Sequence, residues 1–407
     1  MGRYGAILGI PSIRPILWAT FLGRIPMGGM SLGMLLYVSH VSGSFATAGF
    51  ATGAATIGIA ISIPVGSRMV DRLGLRLLPW LAVVQAGALA GVVALGETGA
   101  PAAALVAGAA LAGVSTPPLS TVLRALWPTL LDGRDELLPA AYGLDLAVAE
   151  TVFLGGPALA GLMYGLLGAA SPLVASVGLV LAGTLWLTRL LARVPAAPSL
   201  DVPADWRGAL RSRGIRALAL AALPVGFALG CFEASVVRAC QEADQGALAG
   251  AILAIWAAAS GVGGLLYGAI SPGRARVPAA YLVAISLLPL AIAPMLLASS
   301  PLAMAPLAFL AGLPIAPQFA ASAQLARRLA PPGTHTEAIG WPLTAAFGGA
   351  AFGIAATGIA AAAGGATAGF ALAVAVAAVA ALTALVGRLA VADELGGLGN
   401  RAPASTV

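Results

Sequence analysis

Long apolar segments, separated by short polar or glycine- and proline-rich connections, follow one another along almost the whole chain. Each is long enough for a helix to cross the hydrocarbon core of a bilayer, which takes about 20 mainly apolar residues. The pattern predicts twelve transmembrane helices, near residues 14–40, 45–65, 77–96, 101–127, 137–167, 172–194, 215–239, 246–270, 278–298, 302–328, 338–363 and 366–390.

The composition agrees with a membrane location. Hydrophobic residues make up 60% of the 407 positions and charged residues 9%, and the mean hydropathy is +0.97. A soluble domain carries about 25% charged residues, so lipid rather than water must cover this chain. The first apolar segment continues past any cleavage point, and we expect no cleavable signal peptide. The net charge of +6 includes no basic run interleaved with aromatic residues, so nucleic-acid binding is not predicted.

Arginine placement predicts the orientation of the chain. With the N-terminus in the cytoplasm, the outer connections hold Glu97, Glu242 and Asp244, with Arg238 close to one of them. This bias favours an even number of spans with both termini inside, in a multi-pass protein of the bacterial inner (cytoplasmic) membrane. The inner connections then hold Arg68, Arg72, Arg76, Arg134, Arg189, Arg193, Arg207, Arg211, Arg213, Arg216, Arg274, Arg276, Arg327 and Arg328.

One long connection divides the spans six and six. Residues 195–214 are rich in proline and charge, which is typical of a boundary between two bundles. We therefore predict an N-terminal six-helix bundle over 1–194, a cytoplasmic linker over 195–214, and a C-terminal six-helix bundle over 215–390. The polar, glycine-rich tail over 391–407 is predicted to be disordered.

The connection after the second span resembles the signature loop of the major facilitator superfamily, G-x-x-x-D-R-x-G-R followed by a basic residue. Ser67 and Leu75 depart from that pattern. The resemblance implies an all-α membrane protein with twelve helices in two six-helix bundles, the major facilitator fold. It also implies that the loop is a conformational latch; the alternative is a solvated basic loop. The matching positions are Asp71, Arg72, Gly74 and Arg76.

A second motif lies in the fifth span, where Gly156, Pro157 and Gly161 are similar to the G-P-x-x-G-G motif of antiporters and drug exporters of this superfamily. The alternative is a helix kinked by proline and glycine for packing alone. Stretches such as 123–128 and 331–338 resemble actinobacterial major facilitator proteins that export drugs or metabolites.

Ionisable residues at membrane depth are functional candidates, because an unpaired charge there is costly. Arg24, Asp145, Glu150 and Glu233 are the candidates for proton coupling, and we expect Glu150 to pair with Arg24. A static ion pair that fixes helix register is the alternative. Arg124, near the inner end of the fourth span, is interpreted as a side chain that reaches toward the membrane surface.

Softer candidates for contact with a substrate are Gln318, Trp256 and Tyr267, for which polar contact between helices is the alternative. No metal-ligand cluster, nucleotide loop or nucleophile motif is evident, so we predict neither an enzyme nor a metal or cofactor site.

These observations predict a secondary transporter, a proton-coupled antiporter that exports a small hydrophobic or amphipathic molecule by alternating access. Its expected partners are that substrate, protons and lipid, and the chain is expected to be a monomer. Two alternatives stay open: a proton-coupled symporter that takes up a small metabolite, and a membrane receptor or scaffold without transport activity.

Overall fold

The computed structural model describes residues 3–132, 134, 137–192, 208–270, 276–331 and 334–399. Helices account for almost all of them. Their bounds are α1 Arg3–Leu8, α2 Ile13–Ser42, α3 Phe45–Leu73, α4 Leu77–Glu97, α5 Ala102–Val114, α6 Leu119–Leu130, α7 Leu138–Leu167, α8 Ser171–Leu191, α9 Arg213–Glu242, α10 Leu248–Ile270, α11 Val277–Ile292, α12 Pro301–Gly312, α13 Ile315–Leu329 and α14 His335–Gly399, with short 3-10 turns at Ala209–Arg211 and Ala293–Leu297.

Within the described residues, eleven helical stretches are long and apolar enough to cross a membrane. The last of them, Ala338–Leu395, is two spans, because Gly364 and Gly365 leave the helical conformation and Gly365 adopts φ +62°. We call residues 335–363 the first arm of α14 and residues 366–399 its second arm. With this division, the twelve predicted spans are present.

Two spans are interrupted near prolines. The span Ala102–Leu130 consists of α5 and α6, which are separated at residues 115–118, and the span Pro301–Leu329 consists of α12 and α13, which are separated at 313–314. Discontinuous helices free backbone groups inside a bilayer, so they are tolerated only where protein or water satisfies those groups.

The surface carries large apolar side chains of a kind that a soluble protein keeps inside. Such a surface needs lipid against it, and the chain is therefore a multi-pass membrane protein. Among the most exposed of these side chains are Trp80, Leu166, Leu265, Leu297 and Leu302.

The chain forms two compact units. Unit 1 contains Met1–Asp201 and Ala243–Ala254, and unit 2 contains Val202–Glu242 and Ile255–Val407. The start of α10 therefore groups with unit 1, and the rest of that helix groups with unit 2. Most of the predicted linker, residues 195–207, lies outside the described part of the chain. The predicted domain boundaries stay predictions.

Close backbone contacts set the packing of unit 1. A Cβ on Gly28 of α2 would meet the carbonyl oxygen of Val152 in α7, and a Cβ on Gly23 would approach α8 backbone at Gly183. The second span of the unit, α3, meets the fourth span at α5 in the same way, because a Cβ on Gly113 would meet the carbonyl oxygen of Ala55. Small residues let membrane helices approach this closely.

Unit 2 repeats this plan. A Cβ on Gly226 of α9 would meet the carbonyl oxygen of Ala346 in the first arm of α14, and a Cβ on Gly263 of α10 would meet that of Leu313. Thus in each unit the first membrane span packs against the fifth, and the second span packs against the fourth. The shared plan is that of an internal repeat.

The structure corrects the prediction of a disordered tail from residue 391. The second arm of α14 continues as helix to Gly399, and Val391 is buried. The reason is a tertiary contact: Glu394 accepts a hydrogen bond from the backbone N–H of Gly214 at 2.7 Å. Residues 400–407 lie outside the described part.

Candidate functional site

A wholly buried carboxylate on α7 binds two arginines from two other helices. Asp145, whose side chain is 0% exposed, accepts through Oδ1 from Arg24 Nη1 of α2 at 2.8 Å. Its second oxygen, Oδ2, accepts from Arg124 Nε of α6 at 2.6 Å. The Arg24 side chain is 8% exposed, whereas that of Arg124 is 51% exposed. These three residues, which we call the charge triad, are a buried ion pair extended by a second, more accessible cation.

Each member of the triad lies well inside its span. Arg24 is about 16 Å along α2 from Ile13, and Asp145 is about 10 Å along α7 from Leu138, at 1.5 Å per residue. Arg124 follows the interruption of its span. A buried ion without a partner costs several kcal/mol, so mutual pairing explains how apolar helices accommodate three charges here.

The structure joins two of the four predicted coupling residues, Arg24 and Asp145. The side chain of Glu150 lies outside the described part, so its pairing with Arg24 stays a prediction. Glu233 is partly buried on α9, in unit 2. Sequence reasoning missed Arg124, although an arginine and an aspartate in successive spans of one unit were a usable signal.

The interruption of the α5–α6 span is held by polar side chains. The hydroxyl of Ser62 on α3 donates to the carbonyl oxygen of Thr116 at 2.6 Å, and the amide of Gln85 on α4 donates to the Thr116 hydroxyl at 3.0 Å. These bonds satisfy groups that the break exposes, and they tie it to two neighbouring helices.

In unit 2, Gln318 lies one turn after the interruption of its span and is 2% exposed. Among the described residues, neither atom of its amide has a hydrogen-bond partner, and the Tyr281 hydroxyl on α11 has none either. The Tyr281 hydroxyl and the Gln318 amide lie close enough to interact, but their contact does not meet the geometry of a hydrogen bond. A buried amide without a protein partner is uncommon, and a bound water or ligand would satisfy it.

The other two predicted contact residues lie on α10. The ring of Trp256 stacks on Phe232 of α9 with centroids 4.9 Å apart, and Phe232 meets Phe370 edge-on at 6.0 Å. The hydroxyl of Tyr267 accepts from the exposed Gln324 at 3.4 Å. Trp256 is thus one edge of an aromatic cluster, and the structure does not bring Tyr267 into that cluster.

The glycines of the antiporter-like motif face two different helices inside unit 1. A Cβ on Gly156 would approach the backbone of Gly28 in α2 to 2.5 Å. A Cβ on Gly161 would come within 2.8 Å of Gly250 at the start of α10, which belongs to the same unit. Pro157 lies between them, inside α7. The motif therefore lets α7 contact two helices at backbone distance.

The signature-like loop makes a tight turn between α3 and α4. Gly74 has φ +79°, a conformation that favours glycine, and its N–H donates to the carbonyl oxygen of Val70 at 2.7 Å. Arg72 and Arg76 are exposed. The side chain of Asp71 lies outside the described part, so the latch role stays a prediction.

The sequence matches no protein-family model and no curated protein. The structure is similar to several solved transporters. A crystal structure of the nucleoside transporter NupG has a TM-score of 0.72 at 12% identity, with 93% of this chain and 99% of that chain covered. A bacterial homologue of the iron transporter ferroportin in an inward-facing state has a TM-score of 0.69 at 12% identity, with coverages of 92% and 98%. The POT family transporter PepTSo has 0.66 at 15% identity, with coverages of 95% and 98%.

At such identities the likeness establishes the fold. The chain is an all-α membrane protein with the two-unit, twelve-helix fold of the major facilitator type. Within the described residues of unit 1, the charge triad is the candidate functional site.

Proposed function

We propose that the protein is a secondary transporter of the bacterial cytoplasmic membrane that exports a small hydrophobic or amphipathic molecule in exchange for protons. The observation that carries the proposal is the burial of Asp145 between Arg24 and Arg124. A buried carboxylate within a membrane span is costly and marks ion or substrate pathways.

The triad supports proton coupling because it places a carboxylate and its cations together within the membrane, where such groups form proton pathways. In the proposed cycle, α2 shifts relative to α7 within unit 1, and Asp145 exchanges its contact with Arg24 for a proton. Glu150 and Glu233 are further candidates for a second proton site.

Export is favoured by the motif of Gly156, Pro157 and Gly161, which is similar to that of antiporters. The proposed substrate contacts are Gln318, whose buried amide has unused hydrogen-bonding capacity, and the aromatic ring of Trp256. Tyr267 is a weaker candidate at the exposed end of α10. We propose that Asp71, Arg72, Gly74 and Arg76 act as a latch at the cytoplasmic surface, and that the transporter works as a monomer.

The test is a proton-exchange assay in inverted membrane vesicles that contain the full chain. Respiration acidifies the vesicle interior, a pH-sensitive dye reports the gradient, and Hoechst 33342 or ethidium is then added as the amphipathic probe. Wild-type vesicles are expected to lose part of the pH gradient upon addition of a probe. Asp145→Asn is expected to abolish that response, and the exposed Asp393→Asn serves as a control of equal charge change.

A second measurement separates coupling from folding. Asp145→Asn is expected to keep probe movement down a concentration gradient without a pH gradient, because asparagine keeps an oxygen that accepts from Arg24 and loses the proton site. Full proton exchange by Asp145→Asn would overturn the coupling role. If no probe of a broad panel of amphipathic molecules changes the pH gradient of wild-type vesicles, export of such molecules is contradicted. That result would favour symport or a role without transport.

A further inference from the structure

Two glutamates connect the opposite ends of one antiparallel helix pair in unit 2. The pair consists of α9 and the second arm of α14. Along it, Ala217 of α9 lies against Gly387, and Ser235 lies against Gly369. As residue numbers rise along α9 they fall along the second arm, so the start of each helix lies beside the end of the other.

At the start of α9, Glu394 from the end of the second arm caps the helix. Its Oε2 accepts from the backbone N–H of Gly214 at 2.7 Å and from the hydroxyl of Ser212 at 3.0 Å. The Ser212 hydroxyl oxygen in turn accepts from the N–H of Ile215 at 3.1 Å. Two of the N–H groups that a helix start leaves without partners are satisfied in this way.

At the start of the second arm, Glu242 from the end of α9 makes the corresponding contact. Its carboxylate accepts from the backbone N–H of Ala366 at 3.2 Å and from Arg238 Nε at 2.8 Å. A Cβ on Gly365 would come within 2.7 Å of Glu242 Oε1, and Gly365 has φ +62°. Glycine at that position therefore both makes the bend and leaves room for the carboxylate.

Each glutamate lies at the unfavourable end of its own helix. A carboxylate near a helix C-terminus faces the negative end of the helix dipole, whereas one at an N-terminus faces the positive end. Glu242 is the last residue of α9, and Glu394 lies in the final turns of the second arm. With respect to the helix dipoles, their positions are favourable toward the partner helix and unfavourable toward their own.

We propose that Glu242 and Glu394 are two end clamps that fasten α9 and the second arm of α14 into one pair, and that the C-terminal end of α14 is a strap on the start of α9. The Glu394 clamp fastens a residue near the C-terminus to the start of α9. The strap is a conformational device that is independent of the transported molecule.

The test is hydrogen–deuterium exchange with mass spectrometry on the full chain in lipid nanodiscs. Glu394→Gln is expected to speed exchange over residues 212–217 by about two- to fivefold, because a neutral amide oxygen is a weaker acceptor than the carboxylate, without changing residues 366–371. Glu242→Gln is expected to produce the converse pattern. Ser212→Ala is expected to act on the same segment as Glu394→Gln.

Neighbouring residues provide matched controls. Asp393→Asn and Asp244→Asn each remove one negative charge from an exposed position close to a clamp, and asparagine tolerates the positive φ of Asp244. Both are expected to leave exchange unchanged. The proposal is overturned if Glu394→Gln leaves residues 212–217 unaffected, if Asp393→Asn has an equal effect, or if either glutamine variant raises exchange uniformly across unit 2. None of these readouts depends on transport.

Discussion

The two units share a packing plan and differ in where they place charged groups. In unit 1, Asp145 is buried about 10 Å inside α7 and accepts hydrogen bonds from two arginines. In unit 2, Glu242 and Glu394 lie at helix ends, where they accept from backbone N–H groups. Charge at a helix end follows from local stability, because it compensates a partial charge that every helix carries. A buried ion pair within a span does not follow from local stability, since an apolar replacement of the whole pair is often equally stable.

The comparison therefore separates charges that local stability explains from charges that it does not explain. Unit 2 also has a partly buried carboxylate within a span, Glu233. That side chain is more open than Asp145, which is fully enclosed. We expect single substitutions to have larger effects at the triad than at the clamps.

The largest effect is expected from Asp145→Ala, which leaves Arg24 buried without its carboxylate. Breaking a buried ion pair on one side costs about 3–5 kcal/mol in the free energy of unfolding. Loss of the cap in Glu394→Ala is expected to cost about 1 kcal/mol. Denaturant-induced unfolding of the detergent-solubilised protein, followed by tryptophan fluorescence, measures both.

A double variant sharpens this prediction. Arg24→Met together with Asp145→Leu removes both buried charges and is expected to recover most of the stability, because Arg124 is open enough to be solvated. The same variant is expected to lose proton exchange. If Asp145→Ala and Glu394→Ala cost the same, the distinction between the two units fails.

The next effect tests the shared plan rather than the difference. Gly28→Ala in unit 1 and Gly226→Ala in unit 2 each push a methyl group into a carbonyl oxygen of a neighbouring helix. Overpacking of this kind costs about 1–3 kcal/mol in the free energy of unfolding. We expect the two variants to lose similar amounts, measured by the same denaturant-induced unfolding.

Glycines without close neighbours are the controls for this pair. A Cβ on Gly87 in unit 1 or on Gly348 in unit 2 would meet no atom within 4 Å. Gly87→Ala and Gly348→Ala are expected to stabilise slightly, by about 0.4–1 kcal/mol, because alanine restricts the unfolded chain. If these substitutions lower the free energy of unfolding as much as Gly28→Ala does, the cost comes from replacing glycine in a helix and not from close approach between helices.

Sequence patterns were sufficient for the spans and insufficient for contacts between them. Apolar length predicted the twelve helices, and the cost of membrane charge singled out Arg24 and Asp145. The role of Arg124 depended on which face of its helix meets α7, which follows from tertiary packing and not from hydropathy. The helical tail shows the same limit, because a polar, glycine-rich segment was predicted to be disordered and is ordered around Glu394.

Two buried glutamines provide a test of stability against function. Gln85 in unit 1 donates to Thr116, whereas the amide of Gln318 in unit 2 has no hydrogen-bond partner among the described residues. Gln85→Leu is expected to lower the unfolding free energy by about 1 kcal/mol. Gln318→Leu is expected to be neutral or stabilising, because it removes an unsatisfied group, and to reduce probe transport.

The opposite pattern for Gln318 would be informative as well. If Gln318→Leu destabilises the protein as much as Gln85→Leu, its amide serves packing between helices, and its proposed contact with substrate loses its support. Unfolding and probe transport measured on the same preparation distinguish the two cases.

The smallest effect is expected at two matched serine caps, one in each unit. The Ser44 hydroxyl oxygen accepts from the N–H of Thr47 at the start of α3, and that of Ser300 accepts from the N–H of Ala303 at the start of α12. Ser44→Ala and Ser300→Ala are each expected to cost about 1 kcal/mol or less, and threonine at either position is expected to restore most of the loss. Both caps serve only their own helix, so neither substitution should alter exchange at a distant helix start. If Ser300→Ala also loosened residues 212–217, unit 2 would respond as one cooperative body, and local capping by Glu394 would no longer account for the protection of α9.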